Sequence, residues 1–223
     1  MDYRSDRNFF LPTTSGIHDI ASDCGEMRFS ISLPGNGPSQ ISNKTPLVLI
    51  LHYGGDPTPF YGRPLLEEIY RPAWQALGAI MIAPESLGGN WTTEQNEALA
   101  INLFQKVLLN YRCSSSRTIV TGYSAGAIGS VQLALNYPEL FSAVIPVAGF
   151  SSQVEKLIVP AQFLLSENDE LFPLSNILEI LGNPNAYPKT KLTIVSAKSH
   201  YDVSSYKNPI SNCLNWINRI WNS

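Results

Sequence analysis

Residues 118–127 constrain the fold of this chain more than any other stretch. The run Thr118-Ile119-Val120-Thr121 predicts a strand, and the apolar pattern over 131–135 predicts a helix. Between them, Gly122-Tyr123-Ser124-Ala125-Gly126 leaves room only for a sharp turn. Glycines two residues on either side of Ser124 allow strand and helix to approach closely, while the turn forces Ser124 into a strained backbone conformation. The sequence therefore predicts a serine hydroxyl that stands alone at the tip of a strand-turn-helix unit.

The helix that begins after Ser124 has a predictable electrostatic effect. Its first N–H groups have no partner within the helix and carry the positive end of the helix dipole. They would stabilise negative charge that develops on a carbonyl oxygen beside Ser124. The N–H of Ala125 is the predicted first donor.

Further apolar runs predict a sheet around this unit. Every position of 47–51 is apolar, which is typical of a parallel strand buried on both faces. More strands are predicted at 79–83, 143–147, 161–165 and 192–195, with helical patterns between and after them at 65–77, 99–111, 174–181 and 210–220. This alternation predicts an α/β fold with a mostly parallel, doubly wound central sheet, helices on both faces and no large lid.

Two weaker local signals concern the boundaries of elements. Residues 27–33 alternate between apolar and polar, which predicts an edge strand covered on one face. Thr92 and Gln95 form a capping-box pattern at the start of the helix that precedes the Ser124 strand.

Length and composition limit the classes of function. The 223 residues suit a single domain, 1–223, and 15 Lys and Arg against 18 Asp and Glu give a net charge of −3. This charge predicts neither nucleic acid nor an anionic membrane as a partner. No signal peptide or membrane span is expected. Cys24, Cys113 and Cys213 lack metal-ligand or CxxC spacing, so we interpret them as packing residues in a cytoplasmic protein.

Reactive groups are expected where the parallel strands end, because ligands bind beyond the carboxyl ends of such strands. Three carboxylates follow the strand at 161–165, and a catalytic serine and histidine need one buried anion to orient the ring. Asp169 is the predicted acid, since it lies in the turn and its short side chain suits a fixed hydrogen bond. Glu167 is the alternative, and Glu170 is interpreted as a solvated loop charge.

Only three histidines can act as the base. His18 precedes any predicted core strand, and His52, at the end of the strand at 47–51, more often braces the backbone than transfers protons. His200 alone follows both Ser124 and Asp169, which gives the chain order Ser, Asp, His. In these roles His200 takes the proton of Ser124 and passes it to the leaving group, while Asp169 holds the ring.

The loop after the strand at 47–51 adds a second predicted oxyanion donor. Gly54 and Gly55 allow the backbone to turn close to Ser124, and the N–H of Gly54 is the preferred donor, with Tyr53 as the alternative. Loop aromatic residues at the same edge, Tyr53, Phe60, Tyr61 and Trp91, are candidates for lining a substrate pocket.

The motif and its continuation resemble a known family. Gly122-Tyr123-Ser124-Ala125-Gly126-Ala127 and the segments 133–141 and 146–149 are similar to α/β-hydrolase esterases grouped with polyhydroxybutyrate depolymerases, feruloyl or acetylxylan esterases and predicted peptidases. The resemblance covers roughly 45–205 and implies the triad Ser124, Asp169 and His200, with Ala125 and a residue of the His52 loop as oxyanion donors. Those families usually have His-Gly where this chain has His52-Tyr53-Gly54.

The sequence favours a carboxylesterase that cleaves small or carbohydrate-linked esters through an acyl-enzyme on Ser124. A serine peptidase of the same fold and a binding protein without turnover are the alternatives. No cofactor is expected, and no metal either, because the histidines lack ligand spacing such as HExxH. The expected partner is a small ester substrate, and the oligomeric state is open.

Overall fold

The computed structural model describes residues 12–22, 25–35, 37–55, 62–88, 90–182 and 189–222 of the chain. One sheet contains eight strands: β1 (Gly16–Ser22), β2 (Gly25–Ser32), β3 (Leu47–Leu51), β4 (Ile80–Pro84), β5 (Thr118–Tyr123), β6 (Ala143–Val147), β7 (Ala161–Ser166) and β8 (Thr190–Val195). Their spatial order is β1-β2-β4-β3-β5-β6-β7-β8. Strands β3 to β8 are parallel to one another, whereas β2 pairs antiparallel with both β1 and β4. The predicted mostly parallel sheet is confirmed.

Helices fill the connections between the parallel strands. A π-helix (Leu65–Tyr70) continues into α1 (Arg71–Ala73), and the longer helices are α2 (Glu94–Asn110), α3 (Ala125–Asn136), α4 (Leu174–Leu181), α5 (Lys207–Asn212) and α6 (Leu214–Trp221). Short 3₁₀ turns occur at Pro38–Gln40, Gln75–Leu77, Ser152–Lys156 and Val203–Tyr206. Within the described residues, these segments pack on the sheet and include no inserted lid.

The sheet is covered on both faces because successive strand residues point to opposite sides. In β3, Leu49 packs in a cluster with α2, α3 and α4, while the adjacent Val48 packs in a cluster with the 65–77 helices, α5 and α6. All five residues of β3 are fully buried. An all-apolar strand sequence is therefore required here, since either face would otherwise bury a polar side chain.

Two sequence predictions about the start of the chain need correction. Residues of β2 do not form an edge strand, because β1 pairs along its outer side from Gly16↔Ile31 to Ser22↔Gly25. Strand β1 was not predicted. Its Asp19 is exposed and pairs with Arg28 of β2 at 2.9 Å. Charged residues are common on an edge strand, and here they interrupt the apolar pattern from which a strand would be predicted.

The start of α2 is also shifted by one residue from the predicted position. Thr93, and not Thr92, is the N-cap, and its hydroxyl accepts the N–H of Asn96 at 3.4 Å. Asn96 is buried and bonds with both Gly88 and Asn90 through its amide nitrogen. This amide therefore ties the helix start to the preceding loop, a tertiary effect that local capping patterns do not contain.

The cysteines that the structure describes match the predicted packing role. Cys113 and Cys213 are buried and not disulfide-bonded. Burial raises the pKa of the Cys113 thiol to about 11 and that of the Cys213 thiol to about 12, so both stay protonated near neutral pH. Cys24 lies outside the described residues.

Helix α3 crosses the sheet so closely that two positions must be glycine. A Cβ on Gly126 would lie 2.1 Å from the carbonyl oxygen of Leu51, and a Cβ on Gly122 would lie 2.3 Å from the carbonyl oxygen of Gly126. Both obstacles are main-chain atoms of packed elements and cannot rotate away. The two glycines that flank Ser124 thus set the distance between α3, β3 and β5.

We expect Gly126→Ala to lower the free energy of unfolding by at least about 3 kcal/mol, because the new methyl group would overlap main-chain atoms of β3. Urea denaturation measures this change. Gly78→Asn is the control: Gly78 has φ 57°, a conformation that Asn tolerates, and no atom lies within 4 Å of its Cβ position. Equal stability of the two variants would contradict the steric explanation.

Candidate active site

Ser124 lies at the turn between β5 and α3 in a strained conformation. Its φ of 55° and ψ of −115° fall outside the regions that non-glycine residues normally adopt. The N–H of Ser124 donates to the carbonyl of Val147 at 2.9 Å, and the Ser124 carbonyl accepts the N–H of Ala127. The predicted turn geometry is present, and these bonds to β6 and α3 hold it in place.

His200 lies between Ser124 and Asp169. Its Nε2 is 2.8 Å from Oγ of Ser124, and its Nδ1 is 2.8 Å from Oδ2 of Asp169. A carboxylate only accepts hydrogen bonds, so the imidazole proton resides on Nδ1 and Nε2 accepts from the serine hydroxyl. The three side chains selected from the sequence therefore form one continuous hydrogen-bonded relay.

The carboxylate of Asp169 is buried, with 4% of the residue exposed. Its Oδ1 accepts the N–H groups of Leu171 and Phe172 at 3.0 and 2.8 Å, and Oδ2 accepts from His200. Among the described residues, no Lys or Arg forms an ion pair with it. Backbone N–H groups of its own turn therefore satisfy this carboxylate and fix its orientation toward His200. Glu167, the alternative acid, is exposed.

His52 occupies a separate position on the same edge of the sheet. Its Nδ1 donates to the carbonyl of Tyr53 at 2.6 Å, and its Nε2 accepts the N–H of Ser86 at 3.1 Å. Burial lowers the pKa of His52 to about 4, opposed in part by the bond to the Tyr53 carbonyl. Both ring nitrogens bond to backbone, which agrees with the predicted bracing role. His18 lies on the edge strand, where its Nε2 is 3.1 Å from the carbonyl of Thr14.

Trp91 lies below the rim rather than on it. Only 1% of the residue is exposed, and its indole N–H donates to the carbonyl of His52 at 2.8 Å. The Cβ of Trp91 also packs against Gly129: a Cβ added to Gly129 would lie 2.2 Å from it. In this conformation Trp91 has almost no surface to offer a ligand, so the structure supports packing and not the predicted pocket lining.

The other predicted rim residues are placed as follows. Tyr53 is half-buried, and its ring packs edge-on against the ring of Tyr123. The Cβ position of Gly54 is 3.4 Å from Cβ of Ala125, so the loop after β3 lies directly beside the start of α3. Phe60 and Tyr61 lie outside the described residues.

Sequence reasoning missed two contacts to the His200 main chain. The hydroxyl of Tyr123 donates to the carbonyl of His200 at 2.6 Å, and the N–H of His200 donates to Oε2 of Glu170 at 2.8 Å. Glu170 was interpreted as a solvated loop charge. It is exposed, as expected, but its carboxylate also accepts this hydrogen bond from His200. No sequence signal indicates either contact, because both depend on how distant loops meet.

The described residues contain neither a metal-binding cluster nor a helix that could span a membrane. No group of three or more His, Cys, Asp or Glu side chains is arranged to hold a metal ion in those parts of the chain. Across the same residues, no helix is both long and apolar enough to span a membrane.

Solved structures identify the fold. A fluorophosphonate-binding serine hydrolase of Staphylococcus aureus superposes with a TM-score of 0.72 over 93% of this chain and 99% of its own, at 11% identity. A Xanthomonas campestris protein described as an α/β serine hydrolase without lid gives a TM-score of 0.69 over 96% and 98%, at 15% identity. Together with the strand order, these superpositions define the α/β-hydrolase fold, as predicted.

The chain belongs to the Esterase family, because the family model described as "Putative esterase" matches residues 82–207, more than half of the chain. Similar relatives include poly(3-hydroxyalkanoate) depolymerase C of Paucimonas lemoignei, 27% identical over 75% of this chain and 43% of that protein. Acetylxylan esterase A of Aspergillus awamori is 26% identical over 62% of this chain and 48% of that protein. The chain thus spans less than half the length of either relative.

The environment of His52 generates a pH prediction. In the unfolded chain His52 has the ordinary pKa of 6.5, whereas in the folded chain its pKa is about 4, so the folded His52 stays neutral until the pH approaches 4. The unfolded state therefore binds more protons between these values, and stability falls as the pH is lowered through them. We expect this residue to account for a loss of about 2 kcal/mol between pH 7 and pH 5.

Urea denaturation at both pH values measures this loss in the unmodified chain and in His52→Gln. The variant lacks the titrating group, so its stability should fall by about 2 kcal/mol less over the same interval. His18→Gln, at the edge strand, is the control and should retain the full loss. The same decrease in all three proteins would rule out His52 as its source.

Proposed function

We propose that this protein is a serine esterase that forms an acyl-enzyme on Ser124, with His200 as general base and Asp169 as the orienting acid. The observation that carries the proposal is the relay of two 2.8 Å hydrogen bonds that joins a strained serine to a buried carboxylate through one imidazole. Membership of the Esterase family supports the same reaction.

The first half-reaction follows from the positions of the three side chains. As Oγ of Ser124 attacks the ester carbonyl, its proton moves to Nε2 of His200, and the imidazolium is stabilised by Asp169 through Nδ1–H. The carbonyl oxygen becomes an oxyanion. We assign its stabilisation to the N–H of Ala125, at the start of α3, and to the N–H of Gly54, with Tyr53 as the alternative.

Collapse of this intermediate gives the acyl-enzyme. His200 passes its proton to the oxygen of the alcohol, which leaves, and Ser124 keeps the acyl group. Water then attacks the acyl carbon while His200 takes its proton, and His200 returns that proton to Oγ of Ser124 as the bond to the acyl group breaks and the carboxylic acid is released. His200 needs one nitrogen for Ser124 and one for Asp169, as in the observed relay. No cofactor takes part in this scheme.

We propose small or carbohydrate-linked esters as the substrate class. The names of the relatives, a polyhydroxyalkanoate depolymerase and an acetylxylan esterase, support esters with an aliphatic or acetyl acyl group. One exposed aromatic side chain adjoins the relay: Tyr201 is 72% exposed, and its ring centroid is 5.4 Å from that of His200. We assign to this ring an apolar surface for the alcohol portion of the ester.

We also propose that the protein works in a reducing, cytoplasmic-type compartment. The support is chemical: the described cysteines, Cys113 and Cys213, are buried thiols and form no disulfide. Folding of the protein in reducing and oxidising buffers should therefore give the same stability.

The nucleophile is tested with Ser124→Ala. We expect kcat/KM for p-nitrophenyl acetate and butyrate to fall by a factor of roughly 10⁴ or more, because the variant lacks the hydroxyl that bonds to Nε2 of His200. A fluorophosphonate should label the unmodified chain and not the variant. Equal turnover by both proteins would refute the hydrolytic mechanism, and a protein that neither labels nor turns over esters would instead be a binding module.

The choice of acid is tested with two isosteric changes in one loop. Asp169→Asn keeps the shape but presents an amide to Nδ1 of His200, so we expect kcat to fall by roughly 10³ to 10⁴. Glu167→Gln, two residues earlier and exposed, should leave kcat unchanged. If Glu167→Gln caused the larger loss, the acid would be misassigned. Circular dichroism of both variants establishes that they are folded.

A further inference from the structure

Both main-chain polar groups of His200 bond to side chains from other parts of the site. The His200 carbonyl accepts from the hydroxyl of Tyr123 at 2.6 Å, and the His200 N–H donates to Oε2 of Glu170 at 2.8 Å. Tyr123 immediately precedes Ser124, and Glu170 immediately follows Asp169. Each neighbour of His200 in the relay is thus joined to it a second time, through the residue next to it in sequence.

This second set of bonds acts where the backbone has no regular structure to hold it. His200 lies in the turn that follows β8, outside any helix or strand. Asp202 stabilises the turn locally, since its Oδ2 accepts the N–H of Lys198 at 3.0 Å. That bond does not fix the position of the His200 ring relative to Ser124. Only contacts that reach β5 and the Asp169 loop can fix His200 relative to the other two side chains.

We propose that Tyr123 and Glu170 are positioning residues that clamp the main chain of His200 between the nucleophile and the acid. The inference rests on the proposed esterase function. Tyr123 is 2% exposed, so it does not meet substrate, and its hydroxyl is directed at the carbonyl of the base. Because reaction rates depend on sub-ångström placement of reacting groups, loss of the clamp should affect turnover more than substrate affinity.

The Glu170 side of the clamp is an exposed but charged contact. Acceptance of the His200 N–H holds the pKa of the Glu170 carboxyl below its usual range, so the group is ionised near neutral pH. A bond from a backbone N–H to an ionised carboxylate is stronger than one between neutral groups. An amide oxygen at the same position could still accept the bond, which makes Glu170→Gln a conservative variant.

Steady-state kinetics of four variants test the clamp. We expect Tyr123→Phe to lower kcat about tenfold or more and Glu170→Ala about three- to tenfold, each with KM within about twofold of the unmodified chain. Glu170→Gln should recover most of the activity lost in Glu170→Ala. Glu167→Ala, an exposed carboxylate in the same loop, should leave kcat unchanged.

Tyr70→Phe is the control for loss of a buried tyrosine hydroxyl. The Tyr70 hydroxyl bonds to Oγ1 of Thr121 at 2.8 Å, and neither of these residues belongs to the relay. This variant should lose stability as Tyr123→Phe does, but keep kcat. If Tyr123→Phe does not fold, the comparison of Glu170→Ala with Glu170→Gln still decides, since an exposed position tolerates both changes.

A spectroscopic measurement separates positioning from general destabilisation. In proton NMR, the strongly deshielded Nδ1 proton between His200 and Asp169 should broaden or shift in Tyr123→Phe and Glu170→Ala, and stay unchanged in Tyr70→Phe. Folded Tyr123→Phe and Glu170→Ala proteins with kcat within about twofold of the parent would overturn the clamp, since misplacement of the base should cost more. Loss of the proposed function itself is recognised separately, because Ser124→Ala would then hydrolyse esters as fast as the unmodified chain.

Discussion

The arrangement of the site depends on the absence of side chains where α3 meets β3. With only 2.1 Å between a Cβ on Gly126 and the carbonyl oxygen of Leu51, the helix lies as close to the strand as two backbones permit. A helix at this distance cannot follow β5 through a relaxed turn, and the connecting residue, Ser124, takes a φ of 55°. The same closeness brings the loop after β3 beside Ala125. One steric constraint thus accounts both for the strained turn that carries the Ser124 hydroxyl and for the closeness of the two predicted oxyanion donors.

Two histidines lie at this edge, and their hydrogen bonds distinguish them. Both ring nitrogens of His52 form hydrogen bonds with backbone groups, of Tyr53 and Ser86. Burial lowers its pKa to about 4, so the ring is neutral near neutral pH. It therefore has no nitrogen with which to take a proton from Ser124. His200 uses Nδ1 for a carboxylate and leaves Nε2 as an acceptor. These hydrogen bonds favour His200 over His52 as the proposed base, in agreement with the prediction from chain order.

The central part of the fold could be predicted because its information is local. An all-apolar run such as β3, or a strand followed by Gly-x-Ser-x-Gly, carries its own signal of burial or turning. The failures involve tertiary contacts. The sequence of β1 mixes an exposed Asp19 with apolar residues, and Trp91, an aromatic residue of a loop, bonds inward to the carbonyl of His52. The bond from Tyr123 to His200 joins residues that lie far apart in sequence, so no pattern around either one contains it.

The strand order explains why the site needs ties beyond the relay itself. Strand β8, which leads to His200, is separated from β5 by β6 and β7, so the proposed base must cross two strand ends to meet Ser124. The chain that leaves β6 passes close to the serine. Ala148 turns with φ 49°, and a Cβ on Gly149 would lie 2.6 Å from the Ser124 carbonyl oxygen, so the chain passes beneath the serine. If only its ring were hydrogen-bonded, the main chain of His200 could still rotate about the ring. The bonds to its carbonyl and N–H restrain the main chain as well.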